Sequence, residues 1–219
     1  MTTARRVVLT FDNGPTPGVT EQVLDHLASR SLQAVFFMVG RDLLDPARRR
    51  LAESVKAAGH WIGNHTMTHS VLLGTDDSPD LPRREIAAAS EVLGDLADER
   101  KLFRPWGGGG VLDRRLFHRR SLQFLADHGY TCLLWNSVPR DWEDEKGWPA
   151  RARADIDAKA HTVVVLHDIP GAALAALPQF LDDLLDAGTE FTREFPEDCL
   201  AVDAGMITPV AEAYVQRSE

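Results

Sequence analysis

The strongest constraint in this chain is a repeated change of period: short apolar runs alternate with segments whose apolar residues recur every three or four positions. Arg5 to Phe11, Gln33 to Val39, His60 to Gly63, Lys101 to Arg104, Tyr130 to Trp135 and Val163 to Leu166 read as strands. Between them, Thr20 is placed to cap a helix on Val23, Leu24 and Leu27, while Pro46 and Ala47 lead into one on Leu51 and Val55 that ends at Gly59. Pro82 opens a helix carrying Ile86, Ala89 and Leu93, and Leu116, Phe117, Leu122 and Leu125 supply another. A helix near Arg151 to Lys159 and a longer one on Leu174, Leu177, Leu181 and Leu184, closed by Gly188, complete the series. This alternation predicts an α/β fold with helices crossing between parallel strands. No Gly/Pro/Ser-rich linker or charge block divides the 219 residues, so a single domain over residues 1–219 is expected, with Thr189 to Glu219 packing a terminal helix.

Composition narrows the partners. Hydrophobic residues make up 44% and charged residues 26%, with two cysteines, which excludes wholesale disorder, a disulfide-stapled miniprotein and a collagen-like fibre. Acidic side chains outnumber basic ones 33 to 24, and the net charge of -9 repels nucleic acid and anionic membrane surfaces. No stretch approaches the roughly 18 consecutive apolar residues of a membrane helix. MTTARRVVLTF runs from two arginines into a short apolar segment without a signal-peptide cleavage site, so a cytoplasmic location is expected, provided no export signal is missing. Cys132 and Cys199 lie outside any CxxC pair and are expected to be buried thiols.

The chemically suggestive residues gather at predicted strand ends: Asp12 and Asn13, His65 and His69, Arg104, Asp141, and His167 with Asp168. In a barrel, strand ends converge on the face where substrate loops are built. His65 and His69 are four residues apart, a spacing that suits two imidazoles on one ion, with Asn13 as an oxygen donor, and equally suits a structural pair. Zinc is the first candidate, with cobalt or manganese as alternatives. Asp12 suits general-base work if Arg104 keeps it ionised; a purely structural bridge is the alternative. His167 suits proton donation to an amine leaving group, with Asp141 or Asp168 fixing its tautomer. Trp106, Trp135, Trp142 and Trp148 are candidates for the walls of a sugar-sized groove, or for core positions. Gly107 to Gly110 lacks both the phosphate-loop and the dinucleotide fingerprint, and reads as backbone clearance or loop motion.

In order along the chain, TFDNGP at Thr10 to Pro15, HTMTH at His65 to His69, RPWG at Arg104 to Gly107, SVPRDW at Ser137 to Trp142 and LHD at Leu166 to Asp168 resemble the five motifs of the NodB-homology polysaccharide deacetylases, carbohydrate esterase family four. The resemblance implies a distorted (β/α) barrel with seven principal strands and metal-assisted removal of acetyl groups. It implies Asp12 as base, Arg104 as its tether, His167 as acid and Asp141 as the acid's orienting partner. It implies His65, His69 and Asn13 as the metal set, although Asn13 stands where the family usually has aspartate. Trp106, Gly107, Trp142 and Leu166 would form the substrate pocket, with Leu166 against the acyl group and the Trp106 amide facing the oxyanion. Pro139 and Arg140 depart from the usual fourth motif.

The expected reaction is hydrolysis of the acetamide of an N-acetylated carbohydrate, amino sugar or peptidoglycan fragment, with release of acetate. Asp12 takes a proton from water, and His167 protonates the departing nitrogen. The alternatives are a weak or inactive carbohydrate-binding protein, and a hydrolase of a small non-carbohydrate N-acyl compound.

Overall fold

The computed structural model describes residues 4–216. Its strands are β1 (Arg6–Asp12), β2 (Val35–Met38), β3 (Trp61–Asn64), β4 (Leu102–Phe103), β5 (Thr131–Leu133), β6 (His161–His167), β7 (Glu190–Phe191), β8 (Leu200–Asp203) and β9 (Met206–Ile207). Its helices are α1 (Thr20–Ala28), α2 (Pro46–Ala57), α3 (Ala88–Leu93), α4 (Arg119–Asp127), α5 (Trp148–Ala158) and α6 (Leu177–Asp186). The sheet runs β6-β1-β2-β3-β4-β5-β8-β9, with β7 on the early part of β1. Pairings from β6 through β5 are parallel, as is β7 on β1, so seven strands are linked by parallel pairings; β8 pairs antiparallel with β5, and β9 antiparallel with β8. Beyond β5, Ser137 bridges back to Val164 of β6, which brings the two ends of the parallel path together. The result is the distorted α/β barrel expected from the sequence.

Strand alternation divides the apolar side chains into two layers. Val8 of β1, Val35 and Phe37 of β2, and Val163 and Val165 of β6 share the interior with residues of β4, β5 and β8. Val7, Leu9, Phe11, Phe36, Met38, Val164 and Leu166 face outward against Val23, Leu27, Val55, Leu177, Leu181 and Leu184 on the covering helices. Both layers are almost entirely withdrawn from water.

Several local expectations change. Thr20 is the first residue of α1, and the preceding Val19 makes no side-chain cap. The Thr20 hydroxyl instead accepts from the Thr16 amide and donates to Asp168, a tertiary tie in place of a cap. Leu116 and Phe117 precede α4, because the Phe117 amide donates to the Tyr214 carbonyl and its own carbonyl accepts from the Gln216 amide. With both backbone groups engaged by the C-terminal segment, Phe117 cannot enter the helix. The helix expected from Arg151 begins at Trp148, with Pro149 in its first turn. In place of a terminal helix, the C-terminal segment forms β7, β8, β9 and a short 3-10 turn at Pro209–Tyr214. Residues 217–219 lie outside the described residues. Cys132 and Cys199 are buried free thiols.

Candidate active site

Strand register assembles the site. In the β1–β6 ladder Asp12 is the direct partner of His167, and Asp12 is also paired with Phe37 of β2. Asn64 at the end of β3 pairs with Met38 and Phe103, so His65 and Arg104, each one residue further on, leave their strands at the same level. Asp12, Asn13, His65, His69, Trp106, Gly107, Trp142 and His167 line one cleft of about 270 Å3, together with Pro105, Gly108 to Gly110, Trp135, Val138, Val165 and Ile169.

Arg104 lies fully inside the barrel. Its Nη1 donates to Asp12 Oδ1 at 2.9 Å and to the Thr10 hydroxyl at 2.6 Å, while Nε and Nη2 donate to the carbonyls of Leu133 at 3.2 Å and Leu134 at 3.3 Å. Carbonyls of consecutive residues point to opposite sides in a regular strand, and the two reach the guanidinium together at the end of β5, where the register shifts between Cys132 and Leu133 and Leu134 lies just past the strand. The guanidinium also stacks on Phe37, 4.1 Å from the ring centroid. Burial alone raises the Asp12 carboxyl, but the charge and hydrogen bond of Arg104, with the charge of His167, outweigh it and hold Asp12 below the ordinary aspartate value.

His167 is tuned in the opposite direction. Burial pulls it down, yet its Nδ1 lies 2.8 Å from Asp141 Oδ1, and the bond and charge of Asp141 with the charges of Asp12 and Asp168 keep it above the ordinary histidine value. The His167 amide donates to the other Asp141 oxygen at 2.7 Å, so one carboxylate fixes both backbone and ring. The sequence left Asp141 and Asp168 as alternatives for this task. Asp168 instead accepts from the Thr20 hydroxyl at 2.5 Å and packs where a Cβ on Gly14 would sit, and burial pushes its carboxyl up to about 6.

At the metal-binding candidates, His65 Nδ1 lies 2.9 Å from the Arg104 carbonyl, which can only accept. That bond puts the proton on Nδ1 and leaves the Nε2 lone pair free, the orientation a ligating histidine takes. The His69 ring lies 4.8 Å from that of His65, and burial beside His65 pushes it down to about 3, so it stays neutral. Asn13 adopts φ 77°, and its Oδ1 is buried with no hydrogen-bond partner. Among the described residues, no group of three His, Cys, Asp or Glu side chains is placed to hold an ion. Two neutral imidazoles and an orphaned amide oxygen nonetheless fit a divalent cation, with less ligand charge than an aspartate would provide.

Two expected positions move. Leu166 does not line the cleft: it is fully buried on the outer face of β6, because alternation from His167 sends position 166 outward and position 165 inward. Val165 and Ile169 line the cleft in its place, and counting by twos from His167 identifies Val165. Trp148 packs under α6 against Phe180, with ring centroids 4.6 Å apart, while Trp106, Trp135 and Trp142 line the cleft. Trp142 meets His167 edge to face at 4.8 Å. A Cβ on Gly107 would come within 2.4 Å of the Trp135 ring, and Gly108 to Gly110 all have positive φ, so this run supplies the clearance expected of it. Thr10 opens the first motif but has no assigned role there, and the Leu133 and Leu134 carbonyls carry no motif signal in the sequence.

A family model described as polysaccharide deacetylase matches residues 1–133. The chain belongs to this family. A peptidoglycan-N-acetylglucosamine deacetylase from Bacillus cereus is 32% identical over 191 residues, covering 84% of each chain. Among solved structures, a family 4 carbohydrate esterase from Streptomyces lividans in complex with acetate matches with a TM-score of 0.71 and 27% identity, over 90% of this chain and 97% of that one. A family 4 acetyl xylan esterase from Clostridium thermocellum, in complex with a cobalt ion, matches with a TM-score of 0.69 and 26% identity, over 85% of this chain and 87% of that one. Curated relatives in this family are named deacetylases, hydrolases that act on amide bonds.

Proposed function

We propose that the protein removes the acetyl group of an N-acetylated carbohydrate, amino sugar or peptidoglycan fragment with the help of a divalent metal, releasing acetate and a free amine. The observation that carries this reading is the Asp12–His167 partnership across adjacent strand ends, in which a carboxylate is held low and an imidazole high in one cleft. Two neighbouring groups tuned apart in this way make an acid and a base.

Asp12 Oδ1 is engaged by Arg104, so Oδ2 takes the proton from the attacking water. His167 presents Nε2 to the departing nitrogen, since Asp141 occupies Nδ1. When bound by His65, His69 and Asn13 Oδ1, a divalent ion, zinc first and cobalt or manganese as alternatives, supplies Lewis acidity at the acetyl carbonyl and acidifies water. The Trp106 amide is the proposed donor to the developing oxyanion, and Trp106 and Trp142 offer apolar faces to a pyranose ring. The similarity to the Bacillus cereus peptidoglycan-N-acetylglucosamine deacetylase supports an amino-sugar substrate.

The neutral Asn13 donor favours a second reading, a carbohydrate-binding protein with little turnover. The test is acetate release from acetylated amino sugars, chitooligosaccharides, peptidoglycan fragments and small N-acyl compounds, by metal-stripped protein and after separate zinc, cobalt and manganese additions. Metal-dependent release that disappears in Asp12→Ala supports the deacetylase. Saturable glycan binding without product under every metal condition selects the binding protein, and release from the non-carbohydrates alone moves the substrate class.

A further inference from the structure

The loop from His65 to His69 is strained where it carries its function. Thr66 and His69 both adopt left-handed φ, 64° and 52°, and for a β-branched threonine this conformation needs external support. The Gly40 and Arg41 amides donate to the Thr66 and Met67 carbonyls from one side, and a second short segment supports the loop from the other. Immediately before α3, residues Arg83–Ala87 form a π-helical turn, a widened geometry that frees backbone groups from the helix and recurs at functional sites. The Glu85 carbonyl accepts from the Met67 amide at 2.8 Å. The Glu85 carboxyl accepts from the Thr68 amide at 3.0 Å on Oε2 and from the Thr68 hydroxyl at 2.8 Å on Oε1. The Ile86 carbonyl of the same turn and the Ser90 hydroxyl of α3 accept from the Asn64 side chain at 2.9 and 2.8 Å, and Asn64 Oδ1 in turn accepts from the Thr66 amide at 2.8 Å. Glu85 is 4% exposed, an unusual place for a glutamate that does not have a specific task.

We propose that Glu85 is the positioning residue of the His65–His69 loop, its carboxyl and carbonyl on the π-helical turn holding Met67 and Thr68 so that the two histidines converge. Where this concerns metal affinity it rests on the metal reading of the site; where it concerns loop geometry it does not. Glu85 does not line the cleft, and its bonds go to Met67 and Thr68, between the two histidines. Glutamine at this position keeps the shape and can accept from the Thr68 amide while donating to the Thr68 hydroxyl, but it gives up the charge-assisted strength of both bonds, and alanine removes both.

The experiment compares full-length wild type, Glu85→Gln, Glu85→Ala and, as a stability control in the outer layer, Leu184→Ala. Amide hydrogen exchange in metal-free protein is expected to accelerate by about tenfold or more at Met67 to His69 in the Glu85 variants, beyond any change at β1. Cobalt titration followed by visible absorption is expected to show roughly 10–100-fold weaker binding and an altered spectrum. Leu184→Ala is expected to lower the melting temperature while leaving the cobalt spectrum unchanged. Exchange rates at Met67 to His69 equal to wild type in a folded Glu85→Gln protein overturn the proposal, as does a Leu184→Ala protein that reproduces the local exchange pattern. Failure of wild type to take up cobalt rejects the metal reading alone, and the exchange data still decide on Glu85. If Glu85→Ala does not fold, Glu85→Gln decides.

Discussion

The two halves of the cleft are built differently. On the base side, Asp12, Arg104 and His65 all stand at or just past the ends of parallel strands, and Arg104 spans the barrel interior with four hydrogen bonds. On the acid side, His167 ends β6, but its partner Asp141 comes from the loop after β5. That loop is tied to α5 by Arg151, which donates to the carbonyls of Pro139 at 2.7 Å and Arg140 at 3.4 Å, and Arg140 takes a left-handed φ of 54°. The base side is therefore part of the barrel core, and its chemistry and its stability share the same bonds. The acid side is a loop attachment, where the two can be separated.

The largest effects break this contrast most directly. Asp12→Ala is expected to lower kcat by roughly 10²–10⁴-fold and to destabilise the fold by about 3–5 kcal/mol, because it leaves a fully buried guanidinium without its counter-charge. His167→Gln is expected to cost a similar roughly 10²–10⁴-fold in kcat, but only about 1–3 kcal/mol in stability, the cost of an unpaired Asp141 oxygen. Steady-state kinetics on one acetylated substrate, with urea denaturation of both variants, measures both. Equal stability losses would mean that the acid side is as much core as the base side.

This difference also explains what the sequence made legible. Residues at strand ends were readable because a period-two run, once placed in a parallel barrel, determines which end faces the substrate loops; Asp12, His65, Arg104 and His167 all came from that logic. Within β6 the same periodicity separates Val165 from Leu166, yet the motif resemblance assigned Leu166 to the pocket and the geometry favours its neighbour. What the sequence hid depends on contacts between distant segments. Phe117 was drawn out of its helix by Tyr214 and Gln216, Thr20 was diverted from capping by Asp168, and Glu85 looks like any polar position of an amphipathic helix until Thr68 is folded onto it. None of these partners leaves a local pattern.

Leu166→Ala sharpens the face assignment. Its side chain lies in the outer layer, so the expected result is about 2–5 kcal/mol of lost stability from cavity formation, with kcat and KM per folded molecule unchanged. Denaturation and active-site-normalised kinetics check this; a raised KM with intact stability would return Leu166 to the pocket.

The subtlest test concerns pH. Because the folded His167 lies above the free value, its pairing with Asp141 stabilises the fold fully below about pH 6.5 and loses that contribution as pH rises through the folded value. A proton donor fails over the same range, so the alkaline limb of kcat/KM should follow His167. Asp141→Asn removes the largest raising influence, and burial then dominates. The expected result is an alkaline limb displaced to lower pH, with a pH-independent kcat loss smaller than that of His167→Gln. On the base side, Asp12 is held low by Arg104 rather than by Asp141, so the acid limb should stay where it is in wild type. A pH–rate profile of the variant measures both limbs at once: displacement of the alkaline limb alone separates the two halves of the cleft, and displacement of both would show that the acid and base titrate as one coupled unit through the Asp12–His167 contact.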